Sequence, residues 1–136
     1  MLKAFLSPKP LSNEASFGIL ILRVGIALLM IPHGHEKFYT LISGGGSDFP
    51  DPLGVGNQLS LALTVFAEFI CSILLLLGLV TRLALVPLMI CMAIIIFVIH
   101  ANDPFSDKEH PLLYLIPYIT IFLTGAGKYS VDEKLF

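Results

Sequence analysis

Four long apolar segments, nearly free of charged residues, decide what kind of structure this chain can form. They cover approximately residues 16–37, 58–81, 83–100 and 111–125. A helix needs about 20 residues to cross a bilayer, and the third segment has no polar side chain other than Cys91 before its final histidine. The chain of 136 residues is 56% hydrophobic but only 13% charged, whereas a soluble domain carries about 25% charged residues. The sequence therefore predicts a membrane protein and excludes a soluble enzyme.

The connections between these segments predict how they are arranged. A tight hairpin at Thr81–Arg82 joins the second and third segments, and polar loops at residues 39–57 and 101–110 make the other connections. We expect a single all-α domain over residues 1–136, a bundle of four transmembrane helices with both termini on one side. That side carries more basic residues, which predicts that the termini are cytoplasmic. Its basic residues are Lys3, Lys9, Arg82, Lys128 and Lys134, against Lys37 and Lys108 on the other side.

Charge and cysteine content narrow the range of partners. The net charge of −2 leaves no basic surface of the kind that binding to nucleic acid requires, so the lipid bilayer is the expected partner. Cys71 and Cys91 stand alone in apolar segments, without the close spacing of a zinc site or a disulfide framework. We expect both thiols to be packing residues.

Two charged residues fall inside the predicted spans. A charged side chain at the bilayer centre costs about 2.5–3.5 kcal/mol on insertion scales. Arg23 and Glu68 both fall near mid-membrane when residues are counted from the ends of their spans, so we expect an ion pair between them. Thr64, Glu68 and Ser72 share one helix face, which predicts a carboxylate facing the bundle interior. The pair would either fix helix register or form part of a ligand site.

The end of the first span is unusually polar. Gly34 and Lys37 lie close to the same helix face as Arg23, and His33 lies at its margin. Pro32 lacks an amide hydrogen and therefore leaves one backbone carbonyl of the helix without its usual donor. This combination fits either a ligand pocket or a simple helix kink.

Three titratable side chains are predicted to converge in one half of the membrane. The first and third spans run in the same direction, so His33 and His100 end in the same leaflet, and Glu68 approaches them from the second span. Such a set can pass protons to a quinone, bind a haem between two imidazoles or hold a metal ion. We assign catalytic roles to His33, Glu68 and His100, favour a quinone over haem, and assign no metal ligand. Alternatively, His100 only ends its helix at the membrane interface.

A polar stripe marks the start of the fourth segment. His110, Tyr114 and Tyr118 are spaced four residues apart, so they share one helix face. Tyrosines near a membrane surface commonly anchor a helix there, but Tyr118 lies deeper, which suggests an interior hydrogen bond. The full set of predicted ligand-binding residues is Arg23, Gly34, Lys37, Tyr114 and Tyr118.

Three stretches of the sequence resemble DoxX proteins. They are LRVGIALLMIPHGHEKF in the first span, AEFICSILLLLGLVTRLALVPLMICMAIIIFVIH across the second and third, and GKYSVD near the C-terminus. The resemblance covers nearly the whole chain and implies a small four-helix membrane protein of a family often described as oxidoreductases. DoxX relatives are linked to thiosulfate:quinone oxidoreductase subunits, terminal quinol oxidase assemblies and membrane complexes that handle oxidative or thiol stress.

The resemblance and the polar residues together predict a redox-associated protein of the bacterial inner membrane that uses a quinone or a similar lipid-soluble acceptor. In this hypothesis His33, Glu68 and His100 bind or protonate the ligand, while Arg23 either keeps Glu68 ionised or supplies positive charge to a reduced quinone. We expect no added soluble domain, which points to a soluble or membrane redox partner. Enzyme activity of the chain alone and its oligomeric state are left open. The alternatives are a non-enzymatic scaffold for soluble redox enzymes and a small carrier or proton pathway.

Overall fold

The protein consists of helices and turns without a β-strand, as the computed structural model of residues 1–136 describes it. The predicted all-α class is therefore confirmed. Two π-helical turns, Phe66–Ile70 and Ile95–Ile99, are counted here as parts of the helices that contain them. The helices are α1 (Leu2–Leu6), α2 (Asn13–Ile42), α3 (Asn57–Leu77), α4 (Thr81–Ile99), α5 (Phe105–Thr124) and α6 (Val131–Leu135).

Three of these helices, α2, α3 and α4, are long and apolar enough to cross a membrane. Helix α5 has 20 residues, but its beginning carries Asp107, Lys108, Glu109 and His110, so only residues 111–124 are free of acidic and basic side chains. Length and composition thus identify three candidate crossings, one fewer than the four that the sequence predicted.

The long helices α2 to α5 pack as antiparallel neighbours around a shared apolar core. Arg23 of α2 contacts Leu75 near the end of α3, whereas Gly34 lies against Glu68 earlier in α3, so these two helices run in opposite directions. The core contains Ile26, Ala27, Met30, Cys71, Leu75, Ala84, Leu85, Leu88, Met92, Tyr114, Tyr118 and Ile121. Large apolar side chains also cover the outside of the bundle, among them Ile21, Leu28, Leu63, Ile90, Phe97, Leu113 and Leu123. An apolar exterior is what a helix surface facing lipid requires.

Buried charged residues close the helix ends at the side of the α3–α4 turn. The carboxylate of Asp132, in α6, accepts hydrogen bonds from the amides of Val80 (2.6 Å) and Thr81 (2.9 Å) where α4 begins. Arg82 donates from Nε to the carbonyl of Phe122 (2.9 Å) near the end of α5. Each charge is opposite in sign to the partial charge of the helix end that it contacts. The C-terminal tail, residues 125–136, is therefore part of the folded bundle.

The loop at residues 43–56 is organised by one carboxylate. Asp51 accepts hydrogen bonds from the hydroxyl of Ser60 (2.7 Å) and from the amides of Gly56 (2.8 Å) and Val55 (3.0 Å). These bonds, that of Ser60 first, hold the pKa of Asp51 below its ordinary value because they favour the ionised form. The loop is thereby fixed against the first turn of α3.

Candidate functional site

Glu68 and Lys37 form a salt bridge inside the bundle. Glu68 is only 3% exposed, and its Oε1 lies 2.8 Å from the Nζ of Lys37, whose side chain is 31% exposed. The other carboxylate oxygen, Oε2, accepts a weak hydrogen bond from the thiol of Cys91 at 3.7 Å. The predicted ion pair between Arg23 and Glu68 is wrong, because Lys37 is the cation beside Glu68.

Arg23 lies at a different depth in the bundle. Its guanidinium donates to the carbonyls of Leu75 (2.9 Å) and Leu76 (2.8 Å) at the end of α3 and to that of Tyr129 (2.7 Å) in the tail. Leu75 follows Glu68 by seven residues, about 10 Å along the helix axis. The last carbonyls of a helix lack intrahelical donors and carry partial negative charge, so they stabilise the cation through its two terminal nitrogens without a contacting carboxylate, while its Nε is buried without a hydrogen-bond partner.

Gly34 brings α2 into close contact with α3 beside the salt bridge. A Cβ at this position would lie 2.6 Å from backbone atoms of Glu68 and Phe69, so no larger residue fits without moving one of the helices. The contact falls on the π-helical turn Phe66–Ile70, a feature that often marks functional sites in helices. Lys37 lies one turn after Gly34 on the same face, and this geometry lets its ammonium reach Glu68.

A cavity of about 660 Å³ lies between α3, α4 and the loop at residues 49–53. This volume falls within the roughly 300–1,000 Å³ of typical small-molecule pockets. Leu63, Phe66 and Ile90 line it and are also exposed on the outer surface, so the cavity opens sideways toward lipid. Most of its wall is apolar, and its polar lining residues are Lys37, Ser60, Thr64, Glu68, Cys91 and His100.

A smaller cavity of about 220 Å³ lies on the other side of the salt bridge, toward α5. Its polar lining residues are His33, Lys37, Glu68, His100, Asp107, His110 and Tyr114. Lys37, Glu68 and His100 line both cavities, so the salt bridge forms part of the wall between them. The structure brings His33, Glu68 and His100 to one cavity, and their catalytic roles stay predictions.

The polar stripe of α5, formed by His110, Tyr114 and Tyr118, faces α2. The ring of His33 lies 5.5 Å from that of His110 and 6.3 Å from that of Tyr114, and Tyr114 lies 6.2 Å from Tyr118. Tyr114 donates a hydrogen bond to the carbonyl of Leu29 at 3.3 Å. The hydroxyl of Tyr118 is buried without a partner, so the predicted interior hydrogen bond is wrong for Tyr118. Tyr114 forms one instead, because its hydroxyl reaches the carbonyl of Leu29 in α2.

Four residues, Cys91, Asp103, Asp107 and Asp132, belong to polar arrangements that were not predicted from the sequence. Cys91, interpreted as a packing residue, contacts Glu68 across the α3–α4 interface, and periodicity within one helix gives no information about the opposite helix. His100 lies 2.7 Å from the carboxylate of Asp103 through Nδ1. The short spacing of His100, Asp103 and Asp107 is a local signal that the sequence does contain. Asp132 lies far from Val80 and Thr81 in the sequence, so no local signal indicated its contact with them.

Comparisons with known proteins identify the family. The DoxX family model matches residues 18–101, which include α3, α4 and most of α2. The uncharacterized membrane protein Rv3486 of Mycobacterium tuberculosis is 30% identical over 94% of this chain and 87% of its own length. An uncharacterized protein of Haemophilus influenzae is 31% identical over 93% of this chain and 96% of its own length. No solved structure matches the chain. The chain is a membrane protein and belongs to the DoxX family.

Proposed function

We propose that this protein binds a quinone, or a closely similar lipid-soluble molecule with a polar ring, in the larger cavity as part of membrane redox chemistry. The observation that carries the proposal is the salt bridge between the partly exposed Lys37 and the buried Glu68 at the wall of a mostly apolar cavity that opens toward lipid. Charged side chains inside a membrane bundle are costly, so those that are present usually serve structure or function. Here the pair is accessible from the cavity.

The chemistry of the two side chains fits both redox forms of a quinone. The ammonium group of Lys37 donates hydrogen bonds to a quinone carbonyl, and the carboxylate of Glu68 accepts one from a quinol hydroxyl. Apolar lining residues such as Leu63 and Ile94 suit the ring face and the isoprenoid tail. Ligand sites of this kind combine mostly apolar walls with a few polar groups that fix orientation.

Conversion of quinone to quinol requires two electrons and two protons. Lys37, Glu68 and His100 border the cavity and are able to exchange protons, while the electrons would come from a reduced redox centre on a partner protein. We therefore propose a quinone-binding subunit of a larger oxidoreductase. A bis-histidine haem has less support, because His33 and His100 share only the smaller cavity, whose volume of about 220 Å³ is below that of typical ligand pockets.

The proposal includes a topology in the bacterial inner membrane. Helix α5 would be the fourth crossing, since it packs along α4 and turns Leu113, Ile116 and Leu123 outward. Both termini would be cytoplasmic, in agreement with the excess of basic residues on their side. The hydrogen bond from the hydroxyl of Ser7 to the carbonyl of Phe136 (3.1 Å) supports placing both termini at one end of the bundle.

A thermal-shift experiment with a short-tailed benzoquinone tests the proposal on the purified full-length protein in detergent. A ligand that binds only the folded state raises the apparent Tm with concentration. We expect such a rise for the wild type and an affinity at least tenfold weaker for Glu68→Gln and Lys37→Met. Glu36→Gln is the matched control, because Glu36 neighbours Lys37 in sequence but is exposed and lines neither cavity.

The outcomes separate binding at this site from general partitioning of an apolar molecule into detergent. An equal shift in the wild type, Glu68→Gln and Lys37→Met would show that the salt bridge does not contact the ligand. Absence of any shift with both benzoquinone and naphthoquinone probes would contradict quinone binding altogether.

The position of the salt bridge favours a second candidate function, which is proton transfer between the two cavities. Lys37 and Glu68 line both of them, and His33 and His110 line the smaller one. Proteoliposomes containing a pH-sensitive dye would then show a proton leak that Glu68→Gln removes and Glu36→Gln leaves unchanged. A wild-type leak equal to that of protein-free liposomes would contradict it.

A further inference from the structure

The turn between α4 and α5 gathers three side chains of metal-ligating type. His100, Asp103 and Asp107 each offer one ligand atom, and these atoms all lie within 4.8 Å of one another. They come from the end of α4, the turn and the first residues of α5. The quinone cavity does not require this arrangement, because Asp103 and Asp107 do not line it.

The smaller cavity brings two further imidazoles close to this cluster. It is lined by His100 and Asp107 of the cluster and also by the imidazoles of His33 and His110. The rings of His33 and His110 lie 5.5 Å apart. Three imidazoles and a cluster carboxylate therefore border one small cavity, and such a concentration of nitrogen and oxygen donors is typical of transition-metal sites.

The charges around the cluster also favour a cation. Asp103 and Asp107 contribute two carboxylates, and the salt bridge to His100 is the only one that either of them makes. The nearest basic side chain in the sequence, Lys108, directs its ammonium to the carbonyl of Ala101 at 3.3 Å instead. Both aspartates are exposed and His100 is partly exposed, so an ion has direct access from the aqueous side.

We propose that His100, Asp103 and Asp107 bind a divalent transition-metal ion such as Zn²⁺, with a coordination position left open beside the cavity that His33 and His110 line. One imidazole with two carboxylates suits Zn²⁺ and its neighbours in the first transition row better than Mg²⁺ or Ca²⁺, which prefer oxygen ligands alone. Three protein ligands with an open position are the arrangement of zinc sites that exchange water or bind a substrate.

Isothermal titration of the chelator-treated, full-length protein with Zn²⁺, in detergent and without quinone, tests this site. We expect saturable binding of one equivalent, weakened at least tenfold by Asp107→Asn and by His100→Ala, and little binding of Mg²⁺. Titration with Co²⁺ should produce visible absorption bands that both substitutions reduce. Asp48→Asn is the matched control, because Asp48 is an exposed carboxylate in another loop and its substitution should leave Zn²⁺ affinity unchanged.

A second variant keeps the test independent of folding. The double substitution of Asp103 and Asp107 to Asn removes the salt bridge to His100 and an acidic residue in the first turn of α5. Because both aspartates are exposed, the variant should still unfold cooperatively in the absence of metal, with a Tm near that of the wild type, while Zn²⁺ binding is lost. The proposal is overturned if the wild type shows no saturable Zn²⁺ binding, if the aspartate variants bind Zn²⁺ as tightly as the wild type, or if Asp48→Asn weakens binding equally.

Discussion

Each buried charge in this protein is matched by a specific group of opposite sign or opposite partial charge. The carboxylate of Glu68 faces the ammonium of Lys37, the guanidinium of Arg23 faces helix-end carbonyls, and the carboxylate of Asp132 faces two amides. An unmatched charge would add several kcal/mol to the free energy of a membrane-buried structure. The matching therefore explains how a bundle with an apolar exterior tolerates these residues in its interior.

Substitution of Gly34 tests the close contact between α2 and α3. Gly34→Ala should lower stability by about 1–3 kcal/mol, since its Cβ would overlap the backbone of α3. Thermal unfolding in detergent measures the effect. Gly25→Ala on the same helix is the control, because a Cβ there meets nothing within 4 Å, and it should leave the Tm unchanged or slightly raise it. Equal Tm values for the two variants would mean that α2 and α3 do not approach closely at Gly34.

Substitution of Asp132 tests whether the tail caps α4. Asp132→Asn should cost about 1–3 kcal/mol, because the amide nitrogen that replaces one carboxylate oxygen cannot accept a hydrogen bond and leaves the amide of Val80 or Thr81 without its partner. Comparison of its thermal unfolding with that of Glu133→Gln, a neighbouring exposed position, isolates the effect of the cap. If the two variants unfold at the same temperature, the tail does not cap α4.

At the scale of helices and loops, hydropathy predicted most of the helical structure because lipid-facing helices need uninterrupted apolar residues. It did not predict the π-helical turn around Glu68 or the folded tail. Both lie at contacts between distant parts of the chain, Gly34 against α3 and Asp132 against α4. Such contacts leave no periodic pattern in a single sequence.

The loop at residues 43–56 gives a prediction about pH. Because the folded-state pKa of Asp51 is lowered, its contribution to stability is fully present above the unfolded pKa of about 3.9. It is lost as the pH falls through the lower folded pKa. The Tm difference between wild type and Asp51→Asn should therefore be constant near neutral pH and shrink below about pH 4. A difference that does not change with pH would contradict this role, and Asp48→Asn serves as the loop control.

For the molecule as a whole, the sequence identified the right polar residues but not all of their partners. His33, Glu68 and His100 do border one cavity, because helices that pack side by side bring residues at corresponding depths together. The ion pair was assigned to the wrong cation because helix-end carbonyls can neutralise an arginine, and a sequence does not reveal which carbonyls are within reach. The cluster of His100, Asp103 and Asp107 was not predicted, because it forms only when the turn between α4 and α5 folds.

The proposed topology gives a whole-molecule prediction. Cysteines introduced at Ser47 and Lys134, both exposed, should react differently with a membrane-impermeant maleimide, because α5 would return the chain to the cytoplasm. Ser47→Cys should be labelled in intact spheroplasts and Lys134→Cys only after the membrane is permeabilised. Labelling of Lys134→Cys in intact spheroplasts would contradict a fourth crossing.

The salt bridge at the wall between the two cavities is tested most directly by a double-mutant cycle of unfolding free energies with Lys37→Met, Glu68→Gln and their combination. Direct contact predicts a coupling energy of at least about 0.5 kcal/mol. The same cycle with Lys128→Met, at the opposite end of the bundle, should be additive. Additive effects of Lys37→Met and Glu68→Gln would contradict the salt bridge, and with it the binding site proposed around it.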